Sequence, residues 1–246
     1  MRKGTITMET KVDTFIAEDV KSLEVNTACA EVIFDTTADN EIRVEADHLS
    51  DGIYMCELLG NRLVVSYEFS KKIMISRNHT NTRITLYFPK EFALETVKAK
   101  NGAGNLSMEK FSVTCQNMDI EIGAGNCRAE QLSVEQKLFV NVGAGKANLY
   151  AAKAGTLDVD CGVGECVYEG NVNGNIDVNC GVGECELRLN NKENDFNYDI
   201  SCALGKVSVN GAKIKNLGSV KSSVGGDVLG TVTLQCGIGK IELATN

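Results

Sequence analysis

The sequence predicts an all-β fold: a single-stranded, parallel β-helix-like solenoid with coils of about 20 residues and a less regular N-terminal cap. Three observations support this prediction. A short Gly-x-Gly marker recurs along the chain, apolar and polar residues alternate on either side of it, and the 246 residues include a single proline, Pro89. Because proline cannot donate a backbone hydrogen bond to a sheet, its scarcity suits a chain built from paired strands.

The marker itself gives the length of the repeat. Its first glycine advances in steps of 21, 20, 19 and 19 residues, from Gly102 to Gly181. A further 22 residues lead to Ala203, in a degenerate copy, and 34 more lead to Gly237. A period near 20 is typical of solenoids, in which each repeat forms one coil. The glycines expected to form the corners are Gly102, Gly104, Gly123, Gly125, Gly143, Gly145, Gly162, Gly164, Gly181, Gly183, Gly237 and Gly239.

The alternation of side chains predicts a strand on each side of every corner. Before one marker the apolar residues are Leu157, Val159 and Cys161, separated by acidic residues. After the next marker the same period of two resumes at Cys185 and Leu187. A period of two means a strand with one buried face, so each unit is strand, corner, strand and turn. We expect glycine at the corner because it adopts unusual backbone angles and lets adjacent coils approach closely.

The N-terminal third predicts weaker copies of the same unit. We expect residues 1–90 to form irregular coils or a cap, and residues 91–246 the regular solenoid, within one continuous domain. Ala28-Cys29-Ala30 stands where Gly-x-Gly would stand, and further strands are expected near Arg62–Phe69 and Arg83–Phe88. A cap is expected because the open end of a solenoid exposes an unpaired strand edge.

The spacing of the last two markers is irregular. The residues between Cys202 and Cys236 include six glycines and exceed the length of one coil. We interpret them as a protruding loop or a broken coil within the same domain. The part from Ser219 to Gly230 is a candidate contact loop.

The order of these segments resembles the bacterial putative-adhesin family of β-strand-repeat proteins, a domain family of unknown function. The resemblance rests on an early Leu-x-Val strand at Leu23, an Ile-x-Val-x-Ala strand at Ile42, the segment Ile84–Pro89, the Gly-x-Gly ladder and the terminal Gly-Ile-Gly-Lys-Ile-Glu-Leu from Gly237. It extends from roughly residue 15 to the end. The family name implies adhesion at the cell surface, and the family offers no catalytic residues. Many of its members carry an N-terminal membrane anchor, which this sequence lacks.

The ten cysteines are the most conspicuous chemical feature. Seven of them recur in two positions, one just before the corner and one just after it. Other repeats place Ile122, Val142 and Ala147 in those positions, so we expect a buried, reduced column in which cysteine acts as a small apolar residue. The cysteines before the corner are Cys161, Cys180, Cys202 and Cys236, and those after it are Cys127, Cys166 and Cys185.

Two other interpretations of the cysteines stay open. Cys161, Cys166, Cys180 and Cys185 would bring four thiols to one corner and form a zinc cluster, although a four-residue gap differs from the usual Cys-x2-Cys spacing. Stacked cysteines also lie at a separation that permits disulfides, although parallel in-register strands would strain the bond. The expectation is that the protein needs no metal or cofactor.

Acidic residues recur on the outward side of the strands. We expect a solvated stripe, and calcium binding or a pair of glycosidase carboxylates are the chemical alternatives. The stripe consists of Asp119, Asp158, Asp177 and Asp199, with Glu121 and Asp160 beside it.

Charge and hydropathy exclude several classes of protein. The 25 basic and 33 acidic residues give a net charge of −8, which argues against a nucleic-acid partner. No apolar stretch is long enough to span a membrane, and no apolar segment follows Met1–Thr5 as a secretory signal would require. The missing signal and the thiols favour the cytoplasm, whereas the family resemblance implies the cell surface.

The sequence therefore predicts a non-enzymatic scaffold that presents a surface for cell adhesion through its sheet faces and protruding loops. Its partner would be the surface of a protein or a glycan. A polysaccharide-active enzyme on a β-helix is one alternative. An intracellular scaffold that associates with itself through the solenoid ends is another.

Overall fold

Strands account for most of the backbone that the structure describes. The computed structural model describes residues 9–49, 52–69, 82–214, 218–224 and 227–246. These residues form twenty β-strands and two single-turn 3₁₀ helices, at Ala17–Asp19 and Glu193–Asp195. The prediction of an all-β fold is confirmed.

Each coil contributes one strand before its corner and one after it, and these strands form two parallel ladders. Three long strands bend and take part in both ladders. The pre-corner ladder runs in the order β5 (Arg62–Phe69), β2 (Ser22–Thr37), β7 (Ala93–Met108), β8 (Thr114–Ile122), β10 (Ser133–Val142), β11 (Lys146–Cys161), β13 (Ile176–Cys180), β19 (Gly230–Cys236) and β15 (Phe196–Cys202). The post-corner ladder runs in the order β6 (Arg83–Pro89), β2, β7, β9 (Asn126–Glu130), β11, β12 (Glu165–Val172), β14 (Glu184–Leu189), β20 (Lys240–Ala244) and β16 (Lys206–Val209).

Antiparallel strands close both ends of the stack. At the N-terminal end, β4 (Gly52–Leu59) pairs with β5, while β3 (Glu41–Leu49) pairs with β6 and also with β1 (Glu9–Ile16). At the other end, β18 (Gly218–Ser222) pairs with β15 and β17 (Ala212–Ile214) pairs with β16. These strands cover edges that would otherwise be unpaired.

The segment before Cys236 is therefore not a free protruding loop in its described part, and the alternative interpretation, a broken coil, agrees with the antiparallel strands found there. Its described part contains β17 and β18, and Val220 in the expected contact loop pairs with Ile200. Pairing satisfies backbone donors and acceptors that a free loop would leave to solvent, which explains why the chain folds back here. Residues 215–217 and 225–226 lie outside the described part of the chain.

The last coil of the sequence is not the last coil of the stack. Cys236 pairs with Cys180 on one side and with Cys202 on the other. The Gly237 amide donates to the Cys180 carbonyl over 2.8 Å, and the Ala203 amide donates to the Cys236 carbonyl over 2.9 Å. The strands β19 and β20 thus lie between two coils that follow each other in sequence. Because β17 and β18 turn back along the end coil, the chain can return and fill this place.

The N-terminal strands extend the same stack. Cys29 pairs with Ala103, which places Ala28-Cys29-Ala30 at the corner position, as the sequence predicted. A division near residue 90 stays a prediction, although β2 and β7, which lie on either side of that residue, pair through both ladders. One hydrophobic core connects residues from Ala17 to Leu243.

Close approach between coils explains the corner glycines. A Cβ added at Gly183 would meet the Cys161 sulfur at 2.8 Å and would lie closer still to the carbonyl oxygen of Gly164. The expected unusual backbone angle is found at only one of the twelve corner glycines, Gly104, whose φ is +135°. The first position of the marker is less tight, since a Cβ at Gly181 would lie 3.0 Å from the nearest atom.

Candidate functional site

The cysteines before the corner form one continuous column inside the stack. Their order is Cys161, Cys180, Cys236 and Cys202, because the last coil is inserted. All four are buried, and every cysteine of the chain is a free thiol in this structure. Their neighbours are apolar, in agreement with the interpretation that cysteine fills core positions here.

Three of the thiols meet at one corner. The sulfur atoms of Cys161, Cys180 and Cys185 all lie within 4.8 Å of one another. Cys161 and Cys180 are stacked neighbours before the corner, and Cys185 follows the corner in the same coil as Cys180. We call these three residues the thiol cluster. Its side chains are between 0% and 3% exposed.

The fourth residue of the zinc interpretation, Cys166, does not join this group. Cys166 follows the corner after Cys161. The residue stacked on Cys161 on the side away from Cys180 is Val142, so the group that would match the thiol cluster around Cys166 contains a valine in place of one cysteine. Around the next corner, Cys180 and Cys236 are stacked neighbours, but the residue that follows the corner in the position of Cys185 is Ile241. Among the described residues, the repeat thus supplies all three thiols at a single corner.

Hydrogen bonds join the thiols of the cluster to the backbone and to one another. The Cys161 thiol donates to the Gly164 carbonyl over 3.2 Å, and the Cys180 thiol donates to the Gly183 carbonyl over 3.1 Å. Hydrogen bonds from Cys180 and then Cys185 lower the pKa of the Cys161 thiol. The same contacts, together with burial, raise the pKa of the Cys185 thiol far above its ordinary value.

A second feature lies on the outside of the same corners. The middle residue of the marker points to solvent, and in four stacked coils it is a large aliphatic residue that is 56–63% exposed. Earlier coils place Ala124 and Ala144 there. The four residues, which we call the corner ridge, are in stack order Val163, Val182, Ile238 and Leu204.

Backbone hydrogen bonds fix the spacing of the corner ridge. The Val182 amide donates to the Gly162 carbonyl and the Ile238 amide to the Gly181 carbonyl, both over 2.8 Å. An exposed aliphatic row of this kind is a candidate interaction surface. The ridge is not among the features predicted from the sequence, although the change from alanine to valine, isoleucine and leucine in the marker was the available signal.

Charged residues border the ridge and pair with one another. Lys146 contacts Glu165 over 2.6 Å, and Lys240 contacts Glu184 over 2.7 Å. These residues immediately follow the corner glycines, so they flank the ridge along the stack. Their mutual pairing leaves the aliphatic row as the main unpartnered feature of this edge in the described part of the chain.

The acidic stripe is less continuous than the sequence predicted. Asp158 and Asp177 are direct neighbours, but Phe139 separates Asp119 from Asp158, and Thr233 separates Asp177 from Asp199. Lysines also pair with the stripe, since Lys137 contacts Asp158 and Lys221 contacts Asp199. Burial first, and Asp158 next, raise the pKa of Asp177. The stripe is thus a mixed-charge surface with one close acidic pair.

Comparisons with known proteins place this architecture among bacterial β-repeat domains. The family model described as Toastrack DUF4097 matches residues 20–228. No curated protein matches the chain. Within the described residues, no helix has the length and apolar character that a membrane crossing requires.

Solved structures are similar to this chain at low sequence identity. A putative adhesin from Bacteroides fragilis is 14% identical, with a TM-score of 0.51, and the match covers 95% of this chain and 96% of that one. A putative cell adhesion protein from Clostridium sporogenes is 12% identical, with a TM-score of 0.49, and the match covers 98% of this chain and all of that one.

Proposed function

The chain belongs to the Toastrack DUF4097 family, and we propose that it is a non-enzymatic scaffold that presents a surface for adhesion. The rigid element is a parallel β-solenoid with coils of about 20 residues. The contact surface is the corner ridge together with the adjoining sheet faces. The similar structure from Bacteroides fragilis is named a putative adhesin, and that name supports the proposal of adhesion for this chain.

The corner ridge is the observation on which the proposal depends. Val163, Val182, Ile238 and Leu204 are held in a row by the backbone, so the row is ordered before any partner binds. Because each residue is 56–63% exposed, burying the rest of its side chain would contribute about 1–2 kcal/mol. Because the backbone already holds the side chains in a row, binding a partner loses little conformational entropy, and little of the free energy gained by burial is lost.

We propose a protein surface as the partner of the ridge. The large hydrophobic residues that the structure describes as exposed are all aliphatic, and an aliphatic row fits an apolar groove on another protein. The C-terminal end of the stack favours this mode of contact over end-to-end association. The last strands, β17 and β18, are three and five residues long and carry Lys213 and Lys221, which are features that discourage edge pairing.

Adhesion of protein-coated beads tests the proposal. Fluorescent beads that carry the whole chain are applied to immobilised bacterial cells, to protease-treated cells and to a glycan array. We expect binding to untreated cells, loss of binding after protease treatment and at least a tenfold loss with a ridge variant. That variant carries Val163→Ala, Val182→Ala, Leu204→Ala and Ile238→Ala, the residue that Ala124 and Ala144 already place at the corner.

A matched control separates the ridge from general hydrophobicity. Val12→Ala with Ile53→Ala removes two equally exposed aliphatic residues at the other end of the stack and should leave adhesion unchanged. Equal binding by the ridge variant and the unaltered chain would contradict the assigned surface. Release of reducing sugar from a polysaccharide, abolished by Asp177→Asn, would contradict the non-enzymatic role.

A further inference from the structure

The thiol cluster has the size of a three-coordinate site. The three sulfur atoms lie within 4.8 Å of one another. Three sulfur ligands at about 2.3 Å from a central ion, the length of a Zn–S bond, lie at most about 4 Å apart. A small inward shift of the three side chains would therefore bring them to bonding distance of one ion.

No fourth sulfur atom joins the group. Structural zinc sites are closed by four ligands. In the described residues the grouped sulfur atoms number three, and the stacked thiols of the adjoining coils, Cys166 on Cys185 and Cys236 on Cys180, lie outside the group. Three-coordinate binding is the geometry that these residues support.

Charge then selects the kind of ion. The cluster is buried, and the groups that act on the Cys161 thiol are the other two thiols and backbone hydrogen bonds. Three thiolates around a monovalent or divalent ion would leave a net negative charge in the core, which is costly without a partner. Three thiolates around a trivalent ion give an uncharged complex, which suits an apolar interior.

We propose that Cys161, Cys180 and Cys185 form a binding site for a trivalent thiophilic ion of the arsenite type. Arsenous acid, As(OH)3, reacts there with three thiols: three As–O bonds break and three As–S bonds form. Each thiol proton leaves with one hydroxide as water, so three water molecules are released and no atom is oxidised or reduced. The product is a neutral tris-thiolate that connects two neighbouring coils.

A surface groove comes close to the thiol cluster. A groove near the C-terminal coils is lined in part by Cys180, Cys202 and Cys236. Cys180 belongs both to this groove and to the thiol cluster. Arsenous acid is uncharged at neutral pH, so its passage through the groove needs no desolvation of an ion.

Titration of the reduced whole chain with arsenite tests the proposal. We expect one arsenic atom per chain after desalting, a new near-ultraviolet absorption from the As–S bonds, and protection of Cys161, Cys180 and Cys185 from alkylation, read by mass spectrometry. The protection pattern uses the unaltered protein, so it does not depend on whether a variant folds.

Variants taken from the chain's own repeats sharpen the test. Cys161→Val and Cys180→Val introduce the residue found at Val142, and Cys185→Ile introduces the residue found at Ile241. Each should weaken arsenite binding at least tenfold while circular dichroism stays unchanged. The control Cys166→Ala introduces the residue that Ala147 places in the same column, and it should bind arsenite as the unaltered chain does.

Several results would overturn the proposal. These are the absence of stoichiometric arsenic, protection of thiols other than these three, and full arsenite binding by the Cys161→Val variant. Binding of one Zn²⁺ per chain by the same three cysteines, tighter than arsenite, would show that charge neutrality does not select the ion. Loss of arsenite binding in Cys166→Ala would assign the site to a different set of thiols.

Discussion

The sulfur of Cys161 packs directly against Gly183 of the next coil, where an added Cβ would come within 2.8 Å of it. The same relationship recurs along the stack. Cys180 lies against Gly239, and Val142 lies against Gly164. The side chain before each corner therefore occupies the space that the second glycine of the next coil leaves free, and this contact interlocks the core with the corners.

Gly183→Ala should destabilise the protein by about 1–3 kcal/mol, because the new methyl group overpacks a corner whose nearest atoms are backbone and a buried sulfur. Chemical denaturation measures the change. Gly181→Ala is the matched control, since Ala203 already stands at the equivalent position, and its loss should be clearly smaller. Equal losses for the two variants would contradict the assigned contact.

Asp177→Asn should stabilise the protein at neutral pH. One carboxylate oxygen of Asp177 is buried without a hydrogen-bond partner, and burial and Asp158 raise the pKa of this group. An amide can donate to Asp158 as Asn179 donates to Asp160 over 3.1 Å. Removing a like-charge neighbour across two strands is worth about 0.2–1 kcal/mol.

The pH dependence of this variant has a definite sign. Because the pKa of Asp177 is raised in the folded state, the folded protein binds more protons than the unfolded chain between the ordinary and the raised value. Stability therefore falls as pH rises through that interval, and the gain from Asp177→Asn appears there and persists above it. Denaturation at several pH values checks this, with the exposed Asp227→Asn as control. A gain that grows as pH falls would contradict the assignment.

Replacing the corner ridge by alanine should leave stability almost unchanged, within about 0.5 kcal/mol, because the four side chains are exposed. The same replacement should reduce the binding of a hydrophobic dye to the folded protein. Thermal denaturation and dye fluorescence measure the two effects. A large loss of stability would show that the ridge serves the core rather than a partner.

Removing residues 230–246 should abolish cooperative unfolding. The deletion removes β19, which lies between β13 and β15 in the stack. It would therefore leave a gap and expose the edges of both neighbouring strands. Deletion of residues 1–16, which removes the terminal strand β1, is the control and should preserve a cooperative transition. If both deletions leave cooperative unfolding, the last coil is an end coil and the observed order is wrong.

The sequence was sufficient for the units of the fold. Alternation around the marker predicts strands such as Ile176–Cys180, and the small residues at Cys29 predict an extra corner. The order of the last coils could not be predicted. Cys202 and Cys236 occupy equivalent positions with the same pattern, so either coil fits against Cys180 as well as the other, and the choice depends on how β17 and β18 return the chain.

The candidate sites depend on the same order. Cysteine spacing left open four thiols at one corner as an alternative to a buried column, but each thiol packs towards the next coil, and three sulfur atoms, without that of Cys166, come together. The corner ridge was visible in the marker as a trend from Ala144 to Val163. The continuity of the corner ridge depends on the position of Ile238 between Val182 and Leu204. The sequence does not specify that position.

Methyl-labelled nuclear magnetic resonance tests the inserted coil most directly. Neighbouring coils are separated by about 4.8 Å, within reach of the nuclear Overhauser effect, while residues two coils apart lie about twice as far away. We predict methyl cross-peaks between Val182 and Ile238 and between Ile238 and Leu204, with none between Val182 and Leu204. A cross-peak between Val182 and Leu204, without one between Val182 and Ile238, would show that the coils stack in sequence order and would contradict the inserted position of the last coil.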